Sequence, residues 1–184
     1  MAKQKNNTQL ELIQTLLNDA YLQKNDDAKK LVEENVMERK IIVHKDLEYL
    51  LYKFDEDTTK LFPFFAMKTS GLKQICDYFL FVEEKKSLHI LLIELKEGTE
   101  SATNQLIAAE HFTDFILKSA KRVNIKLTEN IFITKIRISE ERGKNATHWT
   151  TKGKPRIKYD KNGIINYDQL DVFRIDAVLD VLIL

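Results

Sequence analysis

The sequence predicts a single α/β domain over residues 1–184, with a mixed central sheet flanked by helices. Three observations predict it. "CDYFLFVEE" (76–84) and "LHILLIELK" (88–96) are strand-like runs joined by the polar turn "EKKS", as in an antiparallel hairpin. "ESATNQLIAAEHFTDFILKSA" (100–120) follows as an amphipathic helix. "NIFITKIRIS" (130–139) then reads as a further strand.

Composition bounds the class. A chain of 184 residues can bury a real core. Its 43% hydrophobic and 31% charged residues are ordinary for a globular protein. The net charge of +1 gives no overall pull toward nucleic acid, so any basic surface must be local. Cys76, the single cysteine, cannot form an internal disulfide, which suits a reducing cytoplasm. "MAKQKNNTQL" is polar, without an apolar signal region, and "HILLI" and "VLIL" are too short to span a bilayer. A cytoplasmic location without a membrane partner is the expectation.

The elements follow in order. Residues 1–44 read as an N-terminal helical segment. "NNTQLELIQTLLNDAYL" (6–22) places Leu10, Ile13, Leu16, Leu17 and Ala20 at helical spacing, with Thr8 or Asn7 as N-cap. "DDAKKLVEENVMERK" (26–40) reads as a second helix led by Asp26 and Asp27. "IIVH" is a short strand or a connector. Residues 45–139 form the core. It opens with a third helix, "KDLEYLLYKF" (45–54), broken by "EDTT", and an extended run "LFPFFAMKT" (61–69). The hairpin, helix and strand named above complete it. Residues 140–184 form a basic loop, "EERGKNATHWTTKGK", and a β-rich extension: a hairpin of "PRIKYD" and "IINYDQL" around "KNG", then "VFRIDAVLDVLIL" as strand, helix or both.

Chemistry enters where apolar strands acquire charge. Side chains alternate faces along a strand. Ile90, Leu92, Glu94 and Lys96 therefore share one face, with Leu91, Ile93 and Leu95 on the other. Asp77 stands at the start of the preceding strand. A hairpin turning near Lys85 brings Asp77 and Glu94 together at one sheet edge. Adjacent carboxylates repel unless a cation shares them. Mg²⁺ binds through one or two carboxylates plus water and substrate phosphate oxygens. Lys96 can neutralise a phosphate or orient an attacking water. Such an assembly suits metal-assisted phosphodiester hydrolysis.

The stretch "CDYFLFVEEKKSLHILLIELKEG" resembles the core motif of the PD-(D/E)XK nuclease superfamily, an Asp opening one strand and E-x-K on the next. The resemblance covers roughly residues 45–139 and implies a restriction-endonuclease-like core of helix, three strands, helix and strand. It implies Asp77 and Glu94 as metal ligands, the Leu95 backbone carbonyl as a further ligand, Lys96 as catalytic lysine, and Mg²⁺ or Mn²⁺ as the ion. Cys76 stands where the name-giving Pro would be. Many members carry another acid on the helix before the strands. Glu48 is the candidate here, with Glu34 and Glu38 as alternatives, each also readable as a solvated helix face. Some branches place a Gln on the helix after E-x-K. Gln105 sits there, but Ala109 replaces the Tyr that follows it in those branches, and a polar first turn explains Gln105 as well. His44, His89 and His148 show no metal-ligand spacing with the cysteine, and Glu110 and His111 read as ordinary helix residues.

Charge distribution adds an independent signal. Residues 118–161 hold 13 Lys or Arg and 4 Asp or Glu. Lys152, Lys154, Arg156 and Lys158, with Trp149 just before them, are candidates for gripping a phosphate backbone and stacking on a base; a solvated surface loop is the bland alternative. The combined expectation is a metal-dependent endonuclease, with DNA favoured over RNA. A homodimer is open, since small nucleases of this fold often dimerise. A ribonuclease effector or toxin and a catalytically silent nucleic-acid-binding or assembly protein are the alternatives.

Overall fold

The computed structural model describes residues 7–33, 37–42, 47–66, 68–97, 100–140, 156–168 and 172–182. Helix α1 spans Gln9–Leu16. Its cap is Thr8, whose side chain accepts from the Glu11 N–H while Glu11 accepts from the Thr8 N–H. This reciprocal box pairs two donors that a helix start would otherwise leave unmet. The helix stops well short of residue 22, and Asp19–Tyr21 is a single 3-10 turn.

The second and third predicted helices are strands. After a 3-10 turn at Asp27–Lys29, β1 (Lys30–Glu33) and β2 (Met37–Ile42) pair antiparallel. The few apolar residues there fit either period, and pairing with a distant strand decides the outcome. β3 (Glu48–Lys53) replaces the third helix. Tyr49 and Leu51 pack into one core cluster, and Leu50, Tyr52 and Phe54 into the other. A helix of this length buries one stripe, whereas a strand covered on both sides buries consecutive apolar residues. In the run 61–69, expected to be extended, Leu61 instead ends helix α2 (Thr58–Leu61), and residues 62–65 and 68–69 lie in turns and bends.

The hairpin is formed as expected by β4 (Tyr78–Glu84) and β5 (Ser87–Glu97), with Lys85 at a φ of 56° in the turn. Helix α3 (Thr103–Arg122) leads to β6 (Ile131–Glu140). The second hairpin comprises β7 (Arg156–Tyr159) and β8 (Ile165–Asp168). Its turn needs the positive φ of 71° that Gly163 supplies. The end of the chain is both strand and helix, β9 (Val172–Arg174) and α4 (Ile175–Leu182).

The central sheet has six strands in the order β3-β4-β5-β6-β8-β7. β5–β6 and β6–β8 are parallel and the other pairs antiparallel. A second, three-stranded sheet, β1-β2-β9, joins the front of the chain to its end through the parallel pair β2–β9. The front segment is therefore not purely helical. The residues after 139 both extend the central sheet and complete the small one.

Two cores sandwich the central sheet. On one face Phe54, Phe79, Phe81, Ile90 and Leu92 pack against α1 and α3 residues such as Ile13 and Leu106. On the other, Leu80, Leu91, Ile93 and Ile136 meet Leu31, Ile41, Phe173 and Val178 from the small sheet and α4. Because α3 crosses between parallel strands, it starts at the carboxyl ends of β5 and β6. No helix among the described residues is long and apolar enough to cross a membrane.

Candidate active site

Tyr78 pairs with Ile93, so Asp77 stands directly beside Glu94, with both side chains on the α3 face. Asp77 is 8% exposed and Glu94 2%. Backbone and side chain interlock here. The Leu95 N–H donates to Asp77 Oδ2 at 2.6 Å, and the Asp77 N–H donates to Glu94 Oε2 at 3.2 Å. Lys96 Nζ lies 2.7 Å from Glu94 Oε1. Behind the acids the same face continues as Phe79 and Leu92, an apolar wall that keeps water away. The sequence expectation that Asp77, Glu94 and Lys96 meet at one sheet edge thus has its geometric counterpart.

Burial sets the electrostatics. It pushes the Glu94 carboxyl up to about 7, against the opposing pull of the Lys96 hydrogen bond and charge. Burial draws Lys96 down, but the hydrogen bond and charge of Glu94, with Asp77 adding, leave it above the ordinary lysine value. Lys96 is therefore an ammonium at neutral pH. Cys76 is fully buried, and burial together with the Glu94 and Asp77 charges holds its thiol well above the usual range. It stays protonated and is no nucleophile.

Asp55 joins the site unforeseen. It follows β3 at the edge where Asp77 precedes β4, and its charge adds the smallest of the contributions to the Glu94 shift, in the upward direction. Reading 45–54 as a helix hid this. As a strand antiparallel to β4, the same residues bring Asp55 to the end of the sheet where the acids lie. The start of α3 lies at this edge too, since Arg137, paired with Glu94 in register, donates from Nε to the Glu100 carbonyl at 2.9 Å. Gln105 is half-buried in the first turn of α3. That turn carries no acid, and the N-terminal end of a helix adds partial positive charge.

Other expected residues fall elsewhere. Glu48 pairs with Glu83 at the opposite end of β3, about 20 Å along the strand from Asp77. It borders a shallow depression with Thr8, Leu10 and Glu11, and is no partner of the acids. The cause is the same helix-for-strand exchange. Glu38 is on the small sheet, 3.8 Å from Lys30, and Glu34 lies outside the described residues. Trp149, Lys152 and Lys154 also lie outside them. Arg156 opens β7, and Lys158 is exposed on that strand, within the hairpin expected of "PRIKYD". His89 is buried at the far end of β5, stacked on Phe132 at 5.1 Å. Glu110 pairs with Lys135 of β6 at 2.9 Å and His111 is exposed.

Among the described residues no three His, Cys, Asp or Glu side chains gather into a ready cation cage. What the edge offers is two adjacent carboxylates, the donor type and number that Mg²⁺ commonly takes from a protein. Comparison with protein-family models, curated proteins and solved structures gives no match.

Proposed function

We propose that this chain is a metal-dependent nuclease of the PD-(D/E)XK kind, hydrolysing phosphodiester bonds, with DNA as the favoured substrate. One observation carries the reading: two buried carboxylates, Asp77 and Glu94, lie side by side at a sheet edge with the Lys96 ammonium on Glu94. Such a group is costly in an apolar setting and has a use where charge must be handled. The element order supports it. With β1 and β2 inserted after α1 and the short α2 after β3, helix α1, strands β3, β4 and β5, helix α3 and strand β6 keep the superfamily's order of helix, three strands, helix and strand. β3 stands in the place expected of residues 61–69.

Asp77, Glu94 and the Leu95 carbonyl would hold Mg²⁺ or Mn²⁺. The ion would supply Lewis-acid polarisation of a phosphoryl oxygen and a lower pKa for bound water. The chain's own part is positional and electrostatic. The hydrogen bonds from Leu95 and Asp77 fix both carboxylates. Lys96, charged at neutral pH, stabilises negative charge developing on the phosphate and is no general base.

A pH dependence follows. Ligation needs ionised Glu94, whose pKa is about 7. Mn²⁺ affinity, read by calorimetry, is expected to rise about tenfold from pH 6 to pH 8, with proton release on binding. Equal affinity at both pH values would remove Glu94 from the ligand set.

A second reading, a catalytically silent nucleic-acid-binding protein, is favoured by the closure of Lys96 on Glu94 at 2.7 Å. One experiment separates the readings: labelled single-stranded and duplex DNA and RNA, each with Mg²⁺, Mn²⁺ or EDTA. Metal-dependent cleavage of DNA is expected. Cleavage of RNA alone favours the ribonuclease alternative, and binding without cleavage favours the silent one.

A further inference from the structure

The strand register aligns more than the acids. Glu94 stands beside Arg137, Arg137 beside Asn166, and Asn166 beside Lys158. Directly paired residues share a face. A polar row therefore crosses β4, β5, β6, β8 and β7 on the α3 face: Asp77, Glu94, Arg137, Asn166, Lys158. At about 4.8 Å per strand it spans roughly 19 Å. Lys96 stands one pleat further out, and the register pairs it with Ser139.

The row changes character along its length. It begins with two buried acids and ends in bases at increasing exposure, Arg137 half-buried and Lys158 exposed. Arg137 is built in. Its Nε donates to the Glu100 carbonyl at 2.9 Å and its Nη1 to Asn166 Oδ1 at 3.2 Å. One pleat earlier, Lys135 is taken up by Glu110 of α3 at 2.9 Å, so the helix covers the sheet there. Arg137 lies beyond that cover, beside the lead-in to α3.

We propose that this row is a phosphate track, with Arg137 and Lys158 gripping the backbone of a polynucleotide whose scissile phosphate sits at Asp77, Glu94 and Lys96. This rests on the nuclease reading and adds to it the direction the substrate takes, across the strands toward β7. Arg137 and Lys158 are two strand spacings, about 10 Å, apart, so they would meet different phosphates of one backbone. Cationic groups on phosphate position the chain without reading bases, so the grip is sequence-independent.

The test measures binding of labelled single-stranded and duplex oligonucleotides to the full chain in EDTA, across a salt series. The variants are Arg137→Gln, Lys158→Ala, the double variant, and Lys121→Ala near the far end of α3 as control. Removing either track cation is expected to flatten the log–log salt slope by about 0.9 on duplex or about 0.7 on single strands, and the double variant by about twice that. The control is expected to leave the slope unchanged. Binding with slopes unaltered in all variants overturns the track and leaves the nuclease reading standing. So does a control that shifts the slope as much as the others. A parent chain that binds no nucleic acid overturns both. If Arg137→Gln alone fails to fold, the Lys158→Ala slope still decides the matter.

Discussion

Glu94→Gln is expected to lower metal-dependent cleavage about a thousandfold or more while leaving the metal-free protein at least as stable as the parent. The first half follows from the ion's donor set. A Lewis acid contributes several kcal/mol to the transition state, and each 1.36 kcal/mol is about tenfold in rate. Losing one of two carboxylates forfeits about 4 kcal/mol of that. The second half follows from burial. The Glu94 pKa lies above its ordinary 4.5, at about 7, because burial disfavours the charged form. Its contribution to stability is fully present below about 4.5 and is lost as pH rises through 7. Glutamine keeps the shape and can still accept from the Asp77 N–H, but carries no charge to desolvate. The gain should therefore be absent near pH 4.5 and reach at most about 3 kcal/mol at pH 8. Thermal unfolding in EDTA at both pH values and a cleavage assay in Mg²⁺ check the two halves. Cutting at the parent's rate would remove Glu94 from the site. A variant less stable than the parent at pH 8 would mean that Glu94 is worth more to Lys96 than burial costs it.

The site was legible in the sequence because its signal is local. Asp77, the turn at Lys85 and Glu94 lie within one hairpin, and strand parity alone puts both acids on one face. The α3 helix and β6 were legible for the same reason, each having an unambiguous period. What failed depended on partners far along the chain. Lys30–Glu33 and Met37–Ile42 become strands because β2 pairs with β9, with Lys40 opposite Val172. Residues 49–52 form a continuous run of Tyr and Leu, a pattern that a buried helix face and a two-sided strand share over so short a window. That single exchange misplaced Glu48 and hid Asp55. Arg137 and Asn166 were invisible because nothing in the sequence says that β6 lies between β5 and β8.

The second large effect concerns what holds the site's wall in place. Phe54→Ala is expected to cost about 3–5 kcal/mol, a large share of the roughly 5–15 kcal/mol that a domain has in total. Phe54 is 2% exposed. Its ring lies 5.1 Å from Tyr21, 5.7 Å from Tyr52, 5.0 Å from Phe79 and 5.4 Å from Phe112, centroid to centroid. Those four partners come from the turn after α1, from β3, from β4 and from α3, so one ring ties four elements together. The hole left by alanine cannot close, since its walls are sheet and a 20-residue helix. The edge-on ring pairs with Phe79 and Phe112 also disappear, each worth about 0.5–1.5 kcal/mol beyond the area buried. Phe54→Leu fills much of the space and should cost about half as much. Phe115→Ala, at a ring 64% exposed, should change stability by no more than about 0.5 kcal/mol. The damage should reach the site as well, because Phe79 stands on the face of β4 that carries Asp77. Mn²⁺ affinity should fall in Phe54→Ala and hold in Phe115→Ala. Urea unfolding gives the stabilities, with an unchanged m-value marking a loss confined to the native state. A loss near 1 kcal/mol with Mn²⁺ affinity intact would show that the ring is ordinary packing, and that the hydrogen bonds to Leu95 and Glu94 hold Asp77 without it.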